Sequence, residues 1–160
     1  MALILGYTRS NLKIFISKIR IMQEQANAII KTLKSKGLRV TPQRFAVYAN
    51  LLFRTDHPTV DQILTDLNKD FPVSSQATIY SSLQALREVG LVREVLLQEG
   101  VSRYDANIQP HHHFCCQRCG GIEDIPWDTF ECIELKNLRP GLRGKTYQVT
   151  VHGTCDNCRE

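Results

Sequence analysis

Apolar residues recur at helical spacing from Met22 to about Val89, and the period changes after Gly90. Ala26, Ile29, Ile30 and Leu33 form one stripe, and Gly37 supplies its stop. Thr41-Pro42 caps a second helix, with proline at its first position and Phe45, Tyr48 and Leu52 as the expected inner face. Thr59 and Gln62 have the spacing of a capping box for a third helix carrying Val60, Ile63, Leu64 and Leu67. Pro72 interrupts the chain, and Ser75 opens a fourth helix reaching Val89, with Ala77, Ile79, Leu83 and Leu86 inward and Gly90 behind it. Residues 91–98 and 101–106 are β-rich runs parted by Glu99-Gly100, a hairpin signal.

Beyond a linker at residues 107–110, strand-like stretches fall at 112–116, 121–125 and 145–153. Residues 128–138 read as a helix stopped by Pro140-Gly141. The fold class expected is α+β, with residues 22–106 as one unit and 107–160 as a second. Helices followed by one hairpin outline a winged helix-turn-helix. A small α+β domain with no DNA role fits the periodicity equally well. Residues 1–21 carry no cap or stop that seats them in a domain, so Met22 is the expected start and 1–21 an N-terminal extension or frayed helix.

Composition narrows this picture. Of 160 residues, 42% are hydrophobic and 22% charged, enough for a core and too ordinary for disorder. The net charge of +4 lies in residues 1–21, which hold Arg9, Lys13, Lys18 and Arg20 and no acid, so overall charge does not argue for DNA. Those four charges also break any export-signal core, and no apolar run approaches bilayer length. A reducing, cytoplasmic setting is therefore expected, where paired cysteines read as metal ligands rather than disulfides.

The strongest chemical signal is two C-x-x-C turns, Cys116/Cys119 and Cys155/Cys158, separated by 35 residues. Four thiolates complete a closed tetrahedral shell, the arrangement of a structural zinc. Cys115 and Cys132 read as small buried hydrophobes.

A second group offers nitrogen and oxygen. His111 and His113 share one strand face while His112 projects from the other. Asp105 closes the hairpin, Asp124 follows the first C-x-x-C turn beside Glu123, and His57 stands before the third helix. Such a shell suits Fe(II), Mn(II) or Zn(II). Singly, each has a plainer reading: a turn residue, a His-Pro helix entry, a solvated strand end. For DNA, the outer face of the fourth helix offers Gln76, Thr78, Tyr80, Ser81 and Gln84, with Arg39 and Arg44 placed for phosphates. An ordinary solvated helix face is the alternative.

In order, Gly37-Leu38-Arg39-Val40-Thr41-Pro42-Gln43-Arg44, His57-Pro58-Thr59, Ala77-Thr78-Ile79-Tyr80, Gly90-Leu91-Val92, Ser102-Arg103-Tyr104-Asp105, His111-x-His113 and the two C-x-x-C turns resemble the ferric uptake regulator (Fur) family. The resemblance covers about Met22 to Cys158. It implies a dimeric, metal-dependent repressor with an N-terminal winged helix on operator DNA and a C-terminal α/β dimerisation domain. It makes Cys116, Cys119, Cys155 and Cys158 structural zinc ligands. His57, Asp105, His111, His113 and Asp124 become ligands of a regulatory Fe(II) or Mn(II).

Asp124, where iron sensors typically carry Glu, makes the chain similar to the peroxide-responsive repressor (PerR) branch. There bound Fe(II) reacts with hydrogen peroxide and a ligand histidine is oxidised, with His57 and His111 the implied targets. An iron- or zinc-supply sensor is the alternative within the family. A metal-dependent hydrolase is the remote one outside it. No nucleophile–base pair or substrate-binding glycine loop is apparent, so no enzyme activity is expected.

Overall fold

The computed structural model of the chain describes residues 9–69, 74–98, 100–131, 135 and 138–159. Four helices come first: α1 (Arg9–Ser35), α2 (Pro42–Leu52), α3 (Val60–Leu67) and α4 (Gln76–Glu88). An antiparallel hairpin follows, β1 (Arg93–Gln98) with β2 (Val101–Asp105). The remainder builds a three-stranded sheet in the order β4-β3-β5, from β3 (His112–Cys116), β4 (Ile122–Ile125) and β5 (Thr150–Gly153). β3 runs antiparallel to β4 and parallel to β5.

The expected caps all form. The Thr41 hydroxyl accepts from the Arg44 N–H at 3.2 Å. Thr59 and Gln62 close a reciprocal capping box at 3.2 and 2.8 Å. Ser75 accepts from the Thr78 N–H at 3.3 Å. Gly37, at φ 74°, ends α1 by letting the Leu38 and Gly37 N–H groups return to the carbonyls of Leu33 and Lys34.

Ile29 and Leu33 of α1 join Val47, Tyr48, Leu51, Val60, Ile63, Ile79, Leu83, Leu86, Leu91, Val92 and Tyr104 in one core. Burying such side chains is worth about 1.5–3 kcal/mol each. The hairpin is tied to α3 by a bridge between Thr59 and Arg103, completing a winged helix.

α1 runs without a break from Arg9 through Met22, and its residues 16–25 are exposed. Several expectations are corrected. On α2 the inner face is Val47, Tyr48 and Leu51, and Leu52 is exposed. On α4, Ala77 is exposed in the first turn and Ser82 takes the inner position instead.

Residues 128–131 are not α-helical. A single 3-10 turn over Trp127–Thr129 lacks a side-chain cap, and Phe130 is extended. The last strand is shorter than residues 145–153, because the Val149 N–H turns aside to His112 Nδ1 at 3.2 Å. Pro72 and Cys132 lie outside the described residues.

Candidate metal centres and nucleic-acid face

Local backbone rules place the cysteines. In the first turn the Gly120 N–H donates to the Cys116 carbonyl at 2.9 Å. Gly120, at φ 68°, then reverses the chain into β4 without side-chain strain. Parallel pairing of Cys116 with Gly153 brings the second turn alongside.

The four Sγ atoms lie within 4.8 Å of one another, and those of Cys119 and Cys155 are 3.8 Å apart. A tetrahedral zinc with bonds of about 2.3 Å has S–S edges of about 3.8 Å. The donor set therefore fits zinc. Backbone N–H groups of Cys119 and Cys155 pull the Cys116 thiol down to about 6. The neighbouring Cys155 sulfur pushes Cys158 up to about 12. A cation that replaces the protons is the natural occupant of such a cluster. Cys115 is buried on the opposite strand face, as expected of a small hydrophobe.

The second centre gathers residues from both units. His113 sits in β3 directly opposite Asp124 in β4, so their side chains share a face, whereas Glu123 pairs with Phe114 and points away. His57 arrives from the turn before α3 at φ 51°, the one positive-φ residue other than glycine among those described. Non-glycine residues pay a steric cost there and persist where their surroundings over-determine them. Arg103 does part of that work, donating to the His57 carbonyl at 3.2 Å and to the Gly120 carbonyl at 3.1 Å.

Three imidazole Nε2 atoms and one carboxylate oxygen converge. His111 and His57 lie 3.1 and 3.2 Å from His113, and Asp124 Oδ1 lies 3.0, 3.3 and 3.9 Å from His57, His111 and His113. Edges of about 3.3 Å belong to a tetrahedron of Zn–N length about 2.05 Å, so the cluster fits a first-row dication. The far nitrogens fix two rings: His111 Nδ1 faces the Gln109 carbonyl and His113 Nδ1 the Gln148 amide, both at 2.8 Å.

His57 and His113 are buried, and burial keeps both rings neutral, that of His113 down to about 4. Neutral imidazole is the ligating form.

Asp105 is present but set apart. Its Oδ2 lies 3.3 Å from His111 Nε2 and 3.8 Å from His57 Nε2, and Arg93 Nε holds it at 2.8 Å. Its Oδ1 accepts from the Asn107 N–H at 2.7 Å. Of the five ligands expected, four form the tight cluster and Asp105 flanks it. Arg93, Asn107 and Gln148 escaped the sequence reading, since only cross-strand register and loop closure bring them here. His112 faces away, fully buried and stacked on Trp127 at 4.6 Å.

Gln76, Tyr80, Ser81 and Gln84 are exposed along α4, and Tyr80 is 51% accessible. Thr78 is half-buried, its hydroxyl 2.8 Å from that of Ser75. Arg39 is exposed, while Arg44 folds back, half-buried, to donate to the Arg39 carbonyl at 2.6 Å.

A winged helix joined through a histidine–carboxylate cluster to a small sheet bearing four cysteines defines a metal-binding regulator architecture. The chain belongs to the ferric uptake regulator family, whose profile matches residues 35–152. It is 32% identical over 144 residues to the "Peroxide-responsive repressor PerR" of Staphylococcus aureus, covering 89% of this chain and 97% of that one. The fold matches the Helicobacter pylori ferric uptake regulator Fur with a TM-score of 0.63 at 19% identity, over 84% of this chain and 94% of that one. It also matches the Campylobacter jejuni peroxide stress regulator with a TM-score of 0.59 at 30% identity, over 81% and 98% of the two chains.

Proposed function

We propose that the protein is a dimeric, metal-dependent transcriptional repressor that senses hydrogen peroxide. One observation carries the reading: His57 from the turn leading into α3 and His111, His113 and Asp124 from the sheet unit converge within 4.8 Å. A cation held there ties the DNA-reading unit, residues 22–106, to the dimerisation unit, residues 107–160. It acts by favouring one of two conformers.

Zinc on Cys116, Cys119, Cys155 and Cys158 holds the fold, because four thiolates leave no open position. The regulatory ion is Fe(II) or Mn(II), on His57, His111, His113 and Asp124 with Asp105 available. Bound Fe(II) would supply the redox chemistry that cleaves the peroxide O–O bond, and a ligand imidazole would take up one oxygen while the other leaves as water. His57 and His111 are the targets by family resemblance. Adding oxygen to either ring removes a nitrogen donor, so the tie between the units is lost and the repressor leaves DNA.

The Asp124 register supports the peroxide branch, as does the likeness to two relatives named for peroxide response. Gln76, Thr78, Tyr80, Ser81 and Gln84 are the base-reading face, with Arg39 and Arg44 at the backbone.

The test is binding to a duplex selected from a random pool by the Mn(II)-loaded protein. Peroxide should release the Fe(II) form alone and leave one added oxygen on a peptide carrying His57 or His111. Release on chelation only, with no oxygen added, would make the protein a metal-supply sensor instead.

A further inference from the structure

Arg93 is the first residue of β1 and stands directly across the hairpin from Asp105. Its Nε donates to Asp105 Oδ2 at 2.8 Å. Its Nη2 lies 2.9 Å from His111 Nδ1 and also contacts His111 Nε2. The Nδ1–H of His111 is committed to the Gln109 carbonyl at 2.8 Å. The lone pair open to an Arg93 N–H is therefore the one on Nε2, the same one that turns toward His113 and Asp124. A single lone pair serves either a hydrogen-bond donor or a metal ion.

Asp105 is divided in the same way. The oxygen that Arg93 holds is 3.3 Å from His111 Nε2, within reach of the cluster once released. A guanidinium does not leave by giving up its proton, so it must move. A dication among the donors would repel it through a partly buried medium. The Arg93 side chain is 28% exposed, which gives it a way out.

We propose that Arg93 is a built-in competitor for the regulatory cation, holding Asp105 and the His111 lone pair until a divalent ion displaces it. Arg93 thereby sets the metal concentration at which the site fills. Because it is anchored at the root of the wing, its departure also breaks the cross-strand link between Arg93 and Asp105 at the hairpin base. The inference rests on the reading of the histidine–carboxylate cluster as a divalent cation site.

Mn(II) affinity of the zinc-loaded full chain, measured by chelator competition, tests it. Arg93→Gln should bind Mn(II) roughly tenfold more tightly or better, the equivalent of one charge-assisted hydrogen bond no longer broken on binding. Arg93→Lys, which keeps the charge but loses the fork, should fall between that variant and the wild type. The gain should shrink in an Asp105→Asn background.

Equal or weaker Mn(II) binding by Arg93→Gln would overturn the inference and make Arg93 a support that orients Asp105. If that variant does not fold, Arg93→Lys decides alone: tighter binding supports competition, and equal or weaker binding overturns it. A wild-type chain that takes no Mn(II), or a His113→Ala variant that binds it as the wild type does, removes the cation-site reading and the inference with it.

Discussion

His57→Gly separates the cost of building the histidine–carboxylate cluster from its use. His57 holds φ 51° with a buried ring whose Nδ1 has no hydrogen-bond partner. Glycine relieves a left-handed backbone cost of about 1–2 kcal/mol. It also removes an unsatisfied buried nitrogen worth about 1–3 kcal/mol. Against these stand lost packing and glycine's greater freedom in the unfolded chain, about 1 kcal/mol.

The zinc-loaded protein without regulatory metal should therefore be as stable as wild type, or up to about 1–2 kcal/mol more so. Metal dependence should collapse. Losing even an outer-shell partner costs about 10–100-fold in affinity, and a direct nitrogen donor should cost at least the upper figure. At Mn(II) equal to a hundred times the wild-type Kd, the wild type gains about 2.7 kcal/mol and the variant about 0.4 kcal/mol. Urea denaturation with and without Mn(II) reads both quantities. A variant that loses more than about 2 kcal/mol without metal, yet keeps the full Mn(II) increment, would refute the reasoning, because His57 would then be a structural residue.

Other perturbations have equally defined outcomes. His57 and His113 both titrate below the ordinary histidine value when folded, so the unfolded chain binds protons first as pH falls. The His113 contribution is complete above about 6.5 and is lost from there toward about 4, and burial of His57 adds a loss in the same direction. Urea midpoints of the zinc-loaded chain should fall over that window, and less steeply in His113→Gln. Cys158→Ser should lower zinc to below one ion per chain by atomic absorption and unfold the β3–β5 pairing, since binding energy at a four-thiolate site is folding energy. Tyr80→Ala should weaken duplex binding about tenfold with an unchanged melting temperature, as expected for a base contact. Thr59→Ala should cost about 1 kcal/mol of stability through the lost cap.

The helical half was legible because its punctuation is local. Thr41-Pro42, Thr59 with Gln62, Ser75, Gly37 and Gly90 act within a few residues of where they stand, and each was found in its expected role. Phase errors such as Leu52 for Leu51 arose where two neighbouring leucines fit the stripe equally well. The stretch 128–131 misled because its apolar spacing serves another purpose. Trp127 and Phe130, three apart, both pack on the His112 ring, at 4.6 and 5.2 Å, from a backbone that is not helical.

At the histidine–carboxylate cluster, His111 and His113 were readable from their spacing while His57 rested on family resemblance, and strand register puts Asp124 rather than Glu123 on the His113 face. Arg93 was invisible for the converse reason. It reaches the site only through cross-strand pairing with Asp105, a long-range fact no local pattern carries.

One side chain makes the two centres mechanically continuous. The Arg103 fork grips the peptide of His57 on one side and that of Gly120, at the edge of the first thiolate turn, on the other. Slackening the sulfur knot should thus loosen the strained histidine before the helical half melts. Stripping zinc should leave the helices folded while the histidine cluster loses its grip on a cation.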